Sequence, residues 1–425
     1  MSIADTSPDT EPAVRTRRHP RLGNWLLLGA SITLSLALAE LLVRLFSPTL
    51  ASAYRPDDVL LMSPIPGAKK VYNRLPVNGG QHIVVEFNSD GFRGEPLRPL
   101  LHQKRVMVYG DSNVEADFSE LAATFPKQLE SRLKRDLGLD VETVNAGVIG
   151  YGPDQISLRL PGELAKFKPA LVVVVIFADN DFGDLIRHRI YRLNPQGELT
   201  WSRYGLSPAL RKQMQALAYP SGLRRLQLRR YAAAAWGVLR EKVLGPPMMP
   251  DEEYFIHYVD ISLAQSFETF QEYVIDSPDG GYSADPLDDY YDADIALKPD
   301  SPSARYKVAL MEKVLVKLRD TAAQAKTPML LTILPSPVDA CDHYDMQVDA
   351  RRYPQYDRSR LSGLVEDMAA RNSIPYLNLW YAFRESNADH LYFRSGDTHW
   401  NDAGQAEAAR LVAEMIERLQ LLQKP

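Results

Sequence analysis

Leu171 to Phe177 reads LVVVVIF and runs straight into Ala178-Asp179-Asn180-Asp181. A stretch that is apolar at every position suits a strand buried on both faces, as in the middle of a parallel sheet. Working outward, the pattern recurs. Arg105 to Tyr109 (RVMVY) ends at Gly110, and Val141 to Asn145 (VETVN) ends in a glycine-rich loop. Met329 to Leu334 (MLLTIL) and Pro375 to Leu379 (PYLNL) follow later in the chain. Ahead of them, Ile83 to Phe87 (IVVEF) precedes the turn-like Asn88-Ser89-Asp90-Gly91. That pairing predicts a small hairpin ahead of the main sheet.

Amphipathic helices alternate with these strands. Phe125 to Leu137 carries Leu129, Leu133 and Leu137 on one face. Ala304 to Ala325 carries Val308, Met311, Leu315 and Leu318 at helical spacing, and Leu361 to Arg371 and Ala403 to Leu422 follow. Strand then helix, repeated, predicts an α/β fold with a parallel sheet covered by helices on both faces. The default right-handed order is 2-1-3-4-5. Residues 187–300 break the rhythm. Arg224 to Val243 reads as a basic helix, and the acidic, tyrosine-rich Tyr282 to Asp300 reads as loop. This segment is expected to be an insertion forming a cap or a partner surface.

Composition narrows the class. The chain has 425 residues, 45% of them hydrophobic and 24% charged, with a formal charge of −5. These values suit a folded protein of two or three domains, or one large domain with insertions. The mild acidity argues against nucleic acid as a partner. With Cys341 the only cysteine, an internal disulfide and a cysteine-rich zinc site are excluded.

The N-terminus sets the compartment. Residues 1–24 are polar and expected to be disordered, with Arg15, Arg17, Arg18 and Arg21 clustered before an apolar run. That run, Trp25 to Phe46, is long enough to cross a bilayer as a helix. Glu40 and Arg44 near its end lie on one face and can pair. The arginines before the run predict a cytoplasmic N-terminus. Ala51-Ser52-Ala53 resembles a signal-peptide cleavage site, but the long run and long leader favour an uncleaved anchor. Either reading sends residues 54–425 across the membrane. In a bacterium this means an inner-membrane anchor and a periplasmic or extracellular body, with residues 47–100 as linker and small hairpin.

Four motifs fall at or beyond the strand ends, where open parallel sheets bind ligands. They are Gly110-Asp111-Ser112-Asn113, the loop Asn145 to Gly152 (NAGVIGYG), Ala178 to Asp181 (ADND), and Gly396 to Asn401 (GDTHWN). As chemistry the set is coherent. Ser112 supplies a hydroxyl, His399 could take its proton, and Asp397 could orient His399. The Ser112 and Gly150 N–H groups and the Asn180 amide could donate to an oxyanion. Each piece also has a plainer reading. Ser112 with Glu115 matches a capping box, Gly150 and Gly152 could be turn glycines, and Asn180 a loop residue. Asp397 and His399 could be a surface pair, with Asn401 capping the last helix.

On these motifs the chain resembles the SGNH hydrolases, also called the GDSL-type esterase/lipase family. The carrying residues are Ser112 in GDSN, Gly150 in NAGVIGYG, Asn180 in ADND, and Asp397 with His399 in GDTHWNDAG. Asn88 to Glu95 (NSDGFRGE) resembles the lead-in of membrane-anchored bacterial members. The resemblance covers about residues 80–185 and 305–420 and leaves the insertion unmatched. It implies a three-layer α/β/α sandwich (residues 101–186 with 301–425), serine acyl-enzyme chemistry and no metal or other cofactor. Asp397 and His399 are separated by one residue where many members have two. That DxH spacing resembles exported polysaccharide O-acetyltransferases of the alginate type.

Other residues compete for roles. Asp339, Asp342, His343 and Asp345 (DACDHYD) could hold a divalent ion, or form a solvated loop. His188 and His390 could rival His399 as base; His399 alone has a carboxylate at the family spacing. Tyr282, Tyr290 and Tyr291 could stack on sugars, or pack the insertion onto the core. The expectation is a membrane-anchored serine esterase acting on O-acyl, chiefly O-acetyl, groups of envelope carbohydrate. An O-acetyltransferase with the same residues, working with envelope polysaccharide machinery, is the alternative. A non-catalytic carbohydrate-binding or assembly protein on the same fold is the second alternative.

Overall fold

The LVVVVIF stretch is the middle strand of a five-stranded parallel sheet. In this computed structural model residues 21–46, 52–100, 104–202, 205–244, 252–275 and 288–422 are described. The strands are β1 (Lys104–Tyr109), β2 (Val141–Asn145), β3 (Leu171–Ala178), β4 (Met329–Pro335) and β5 (Tyr376–Asn378). Their order across the sheet is β2-β1-β3-β4-β5, as expected. Every residue of β3 is buried, because β1 and β4 flank it and helices cover both faces.

We label the helices around the sheet α1 (Phe125–Leu137), α2 (Pro153–Phe167), α3 (Pro302–Gln324), α4 (Arg360–Arg371) and α5 (Asp402–Arg418). α1 packs on α5 on one face; α2, α3 and α4 pack together on the other. Helix α1 buries Phe125, Leu129 and Leu133, and Gly138 closes it in the left-handed conformation that glycine adopts freely. Truncating Leu133 to alanine would cost about 2–5 kcal/mol. Helix α3 starts at the Ser301 cap and Pro302, two residues before the expected Ala304. Its inner face differs too. Val308 is only partly buried, and Lys307 lies inside instead. The Lys307 ammonium is tolerated there because Asp292 (2.9 Å) and Asp294 (2.8 Å) face it.

Two strand ends differ from expectation for local reasons. Strand β5 stops at Asn378 because the Asn378 side chain accepts the Trp380 N–H (3.0 Å) and caps a helix, Leu379–Glu385. The IVVEF strand (His82–Glu86) pairs with the upstream Lys69–Asn73 rather than across the Asn88–Gly91 turn. That turn returns only through an isolated bridge, Phe87 to Arg93. A further hairpin, Tyr54–Asp57 with Leu61–Pro64, lies ahead of it.

The segment between β3 and α3 holds a hairpin (Tyr191–Leu193 with Leu199–Trp201) and helices Pro208–Ala218, Gln227–Leu244, Glu252–Ile275 and Ala293–Leu297. The last of these is buried and falls where loop was expected. Tyr290 and Tyr291 are buried, and Tyr291 donates to Asp339 (2.7 Å), so both pack the insertion onto the core. Tyr282, Ala51 and residues 1–20 lie outside the described residues. The N-terminal helix runs from Arg21 to Phe46, with Glu40 and Arg44 paired at 2.7 Å. Within its apolar span, Leu22–Phe46, an 18-residue window has mean hydropathy 2.1 and is unburied, so the helix is long and apolar enough to cross a membrane.

Candidate active site

Strand β1 delivers Ser112 through a tight turn. A Cβ at Gly110 would lie 2.4 Å from the Val114 side chain, so the turn needs a glycine there. Asp111, not Ser112, caps the short helix Ser112–Glu115; its carboxylate accepts the Asn113 N–H (2.9 Å). Glu115 is likewise not part of a capping box. The Ser112 hydroxyl is thereby free of capping duty.

The turn is strapped to the last motif. The Trp400 indole donates to the Asn113 carbonyl (2.9 Å), and Trp400 is fully buried against Phe125. Asn401 accepts the N–H groups of Ala403 (2.9 Å) and Gly404 (3.1 Å), fixing where α5 begins. Immediately before strap and cap, His399 is carried to Ser112. The Ser112 hydroxyl donates to His399 Nε2 (2.7 Å), and His399 Nδ1–H donates to Asp397 Oδ1 (2.7 Å). The Tyr344 hydroxyl donates to the Asp397 carbonyl (2.8 Å), and Phe118 packs on the imidazole with ring centroids 4.4 Å apart.

The electrostatics suit a proton acceptor. Burial works against charge on His399, but the Asp397 carboxylate and the more distant Asp111 and Asp289 outweigh it and raise its pKa. The His399 side chain still keeps 27% exposure, so the site is open to reactants. Burial pushes Asp111 up to about 6 and Asp289 up to about 7.

The glycine-rich loop after β2 lies directly over this turn. The Val148 N–H donates to the Gly110 carbonyl (3.1 Å), and a Cβ at Gly147 would sit 2.4 Å from the Glu115 nitrogen. Gly150 has φ +66°, a left-handed conformation that favours glycine. Glu115 holds this loop. Its carboxylate accepts the Ile149 N–H (2.8 Å), pairs with Lys70 (2.7 Å) and accepts the Tyr54 hydroxyl. Lys70 and Tyr54 come from the two hairpins that precede the sheet. Asn180 opens the helix Asp181–His188 at the end of β3, beside β1. Its side chain makes no capping bond, and its oxygen is buried without a partner among the described residues.

The competing residues go elsewhere. Asp339 accepts from Tyr291 and Tyr356, Asp342 pairs with Arg358 and Arg384, and His343 pairs with Asp389. Asp345 accepts the Ser395 N–H (2.6 Å). The four do not converge, and among the described residues no group of three such side chains could hold a metal ion. The His390 carbonyl accepts from Asn401 at 2.9 Å, in the turn before α5. His188 is fully buried and bonded to Asp154 (3.0 Å), a residue the motif reading passed over. Asp111, Asn113 and Trp400 also position the site, and their adjacency to Ser112 or His399 is the signal; Glu115 positions it too, but through partners distant in sequence.

Residues 292–425 match the family model described as the SGNH hydrolase-like domain of the acetyltransferase AlgX. Asp397 and His399 fall inside the match; Ser112, Gly150 and Asn180 precede it. No curated protein matches the chain. Among solved structures, TesA is 14% identical over 74% of this chain and 99% of its own, with a TM-score of 0.35. A psychrotrophic esterase, EstA, from Pseudoalteromonas sp. is 11% identical over 75% of this chain and 99% of its own (TM-score 0.34). An acetyl xylan esterase from Geobacillus stearothermophilus is 13% identical over 74% of this chain and 94% of its own (TM-score 0.35).

Proposed function

We propose that the chain is a serine-dependent O-acetyl-ester enzyme acting on envelope carbohydrate. The hydrogen-bonded chain Ser112–His399–Asp397 carries this reading, at 2.7 Å and 2.7 Å. Ser112 Oγ attacks the ester carbonyl carbon as His399 Nε2 takes its proton. The oxyanion accepts from the Ser112 and Gly150 N–H groups and the Asn180 amide. His399 returns the proton to the leaving oxygen, and the acetyl group stays on Ser112. An acceptor hydroxyl then attacks the acyl carbon as His399 takes its proton; the bond to Ser112 Oγ breaks, and His399 returns the proton to Ser112. With water as acceptor the enzyme is an esterase.

A second reading has a carbohydrate hydroxyl as acceptor, making the enzyme an O-acetyltransferase. The description of the family that residues 292–425 match favours it. In both, the N-terminal helix anchors the chain with its N-terminus in the cytoplasm and residues 54–425 in the periplasm or outside the cell. The test is an acetyl-ester reporter with the purified chain, with and without oligosaccharide acceptors, followed by mass spectrometry. Acetate release or oligosaccharide acetylation should each vanish in Ser112→Ala; a fully active, folded Ser112→Ala protein would sink the mechanism.

A further inference from the structure

Glu40 lies inside the apolar N-terminal helix, yet its carboxylate serves another element. It accepts the N–H groups of Gln227 (2.9 Å) and Leu228 (2.8 Å), the first residues of helix Gln227–Leu244. Arg44, paired with Glu40, donates to the Arg225 carbonyl (3.0 Å). A carboxylate is favourable at a helix N-terminus, whose first N–H groups lack partners within the helix. The anchor and the insertion are therefore joined by defined bonds.

The depth of this joint is informative. The N-terminal helix has 26 residues, about 39 Å at 1.5 Å per residue, close to the full thickness of a bilayer with its headgroups. Glu40 precedes Phe46, the last residue, by about 9 Å of rise. With Phe46 at the outer edge of the headgroups, the start of helix Gln227–Leu244 lies near the headgroup–acyl boundary.

The helix is built for that level. At 100° per residue Leu228, Ala232, Ala235, Trp236 and Leu239 form one stripe, with Arg229 and Arg240 along its margin. Trp236 is 67% and Leu239 51% exposed, as is Leu223 just before the helix at 76%. Between this helix and Pro208–Ala218 lies a cavity of about 650 Å³ whose lining includes Lys212, Arg229, Arg230, Leu217 and Pro220. Apolar stripe, tryptophan and basic margin together are the pattern of a helix lying in a membrane interface.

We propose that residues 221–244 lie in the headgroup region of the outer leaflet, with anionic phospholipid as their partner. The catalytic body is thereby held at a fixed height over the bilayer. The proposal rests on the N-terminal helix spanning the membrane, and the test separates the two.

The full chain is placed in nanodiscs of phosphatidylcholine, with or without phosphatidylglycerol, carrying one spin label. Cys341 is buried and its thiol is pushed up to about 12, mainly by burial, so an introduced cysteine takes the label. Labels go at Leu34→Cys (mid-helix), Leu239→Cys (insertion) and Tyr381→Cys (exposed on the body). Collision with lipid-soluble oxygen is compared with collision with a water-soluble nickel chelate. Positions 34 and 239 should favour oxygen and position 381 nickel. The label at 239 should sit deeper with phosphatidylglycerol, and Arg229→Glu with Arg240→Glu should abolish that gain. Nickel access at 239 with oxygen access at 34 overturns the proposal and leaves the anchor standing. Nickel access at both overturns both. Protection of 239 from both probes means a protein covers the helix, and equal depth in the two lipids removes anionic lipid as partner; either overturns the proposal.

Discussion

Two aspartate–histidine pairs look alike and are placed to do different things, whereas a third, His343 with Asp389, lies exposed at the surface. In one, His399 donates Nδ1–H to Asp397 (2.7 Å); in the other, His188 Nδ1 meets Asp154 (3.0 Å). In both, burial works against the imidazolium, the carboxylate outweighs it, and the pKa is raised. The difference lies at the other ring nitrogen. His399 Nε2 accepts the Ser112 hydroxyl at 2.7 Å, with 27% of the side chain exposed. His188 Nε2 is buried without a partner among the described residues, and the side chain is 1% exposed. A carboxylate beside an imidazole sets a tautomer and a charge. It becomes a proton relay only when a nucleophile and an open face are added.

Removing the carboxylate tests that distinction most severely. Asp397→Asn should reduce kcat by about 10⁴-fold, because the amide no longer enforces the Nδ1–H tautomer. The pH profile should move as well. A base acts when neutral, so wild-type kcat/KM should rise with pH through a midpoint above the ordinary value of about 6.5. In Asp397→Asn the attraction is gone while the burial remains, so any residual activity should titrate at lower pH. An unchanged midpoint would mean that Asp397 does not set the His399 charge.

Next in size are the residues that would handle the oxyanion. Asn180→Ala should cost about 10²–10³ in kcat if its amide donates to that charge. A loss of only a few-fold would leave Asn180 as a loop residue. Glu115→Gln should cost less than about 10²-fold, by loosening the loop that carries Gly150. Because Glu115 positions rather than reacts, the loss should fall on kcat with KM little changed. A rise in KM at constant kcat would contradict the positioning role.

How much of this was legible follows from how far apart the partners lie in sequence. The sheet could be read because β3 is apolar at every position and each strand ends in a recognisable loop. Asp397 and His399 could be read as a pair because one residue separates them. Glu115 looked like half of a capping box, since its actual partners, Tyr54, Lys70 and Ile149, are distant in sequence. Lys307 contradicted its own helical face, and only Asp292 and Asp294, brought together by the short helix Ala293–Leu297, explain why it is buried. Asp154 gave no signal at all: it is the second residue of α2, and it meets His188 only once β3 has crossed back over the sheet.

The smallest effect on turnover should come from His188, and it sharpens the comparison by separating stability from catalysis. His188→Gln should change kcat less than about tenfold, because no nucleophile meets its ring. Its stability effect should depend on pH with a definite sign. A histidine whose pKa is raised on folding binds its proton more tightly in the native state. That contribution is fully present below the unfolded value of about 6.5. It is lost as pH rises through the higher folded value. Urea unfolding of wild type and His188→Gln should therefore differ most near pH 5.5 and converge towards pH 9. A difference that grew with pH would mean that His188 is buried neutral and that Asp154 holds it by a hydrogen bond alone. A large loss of kcat with stability intact would make the second pair part of the reaction and dissolve the contrast with His399.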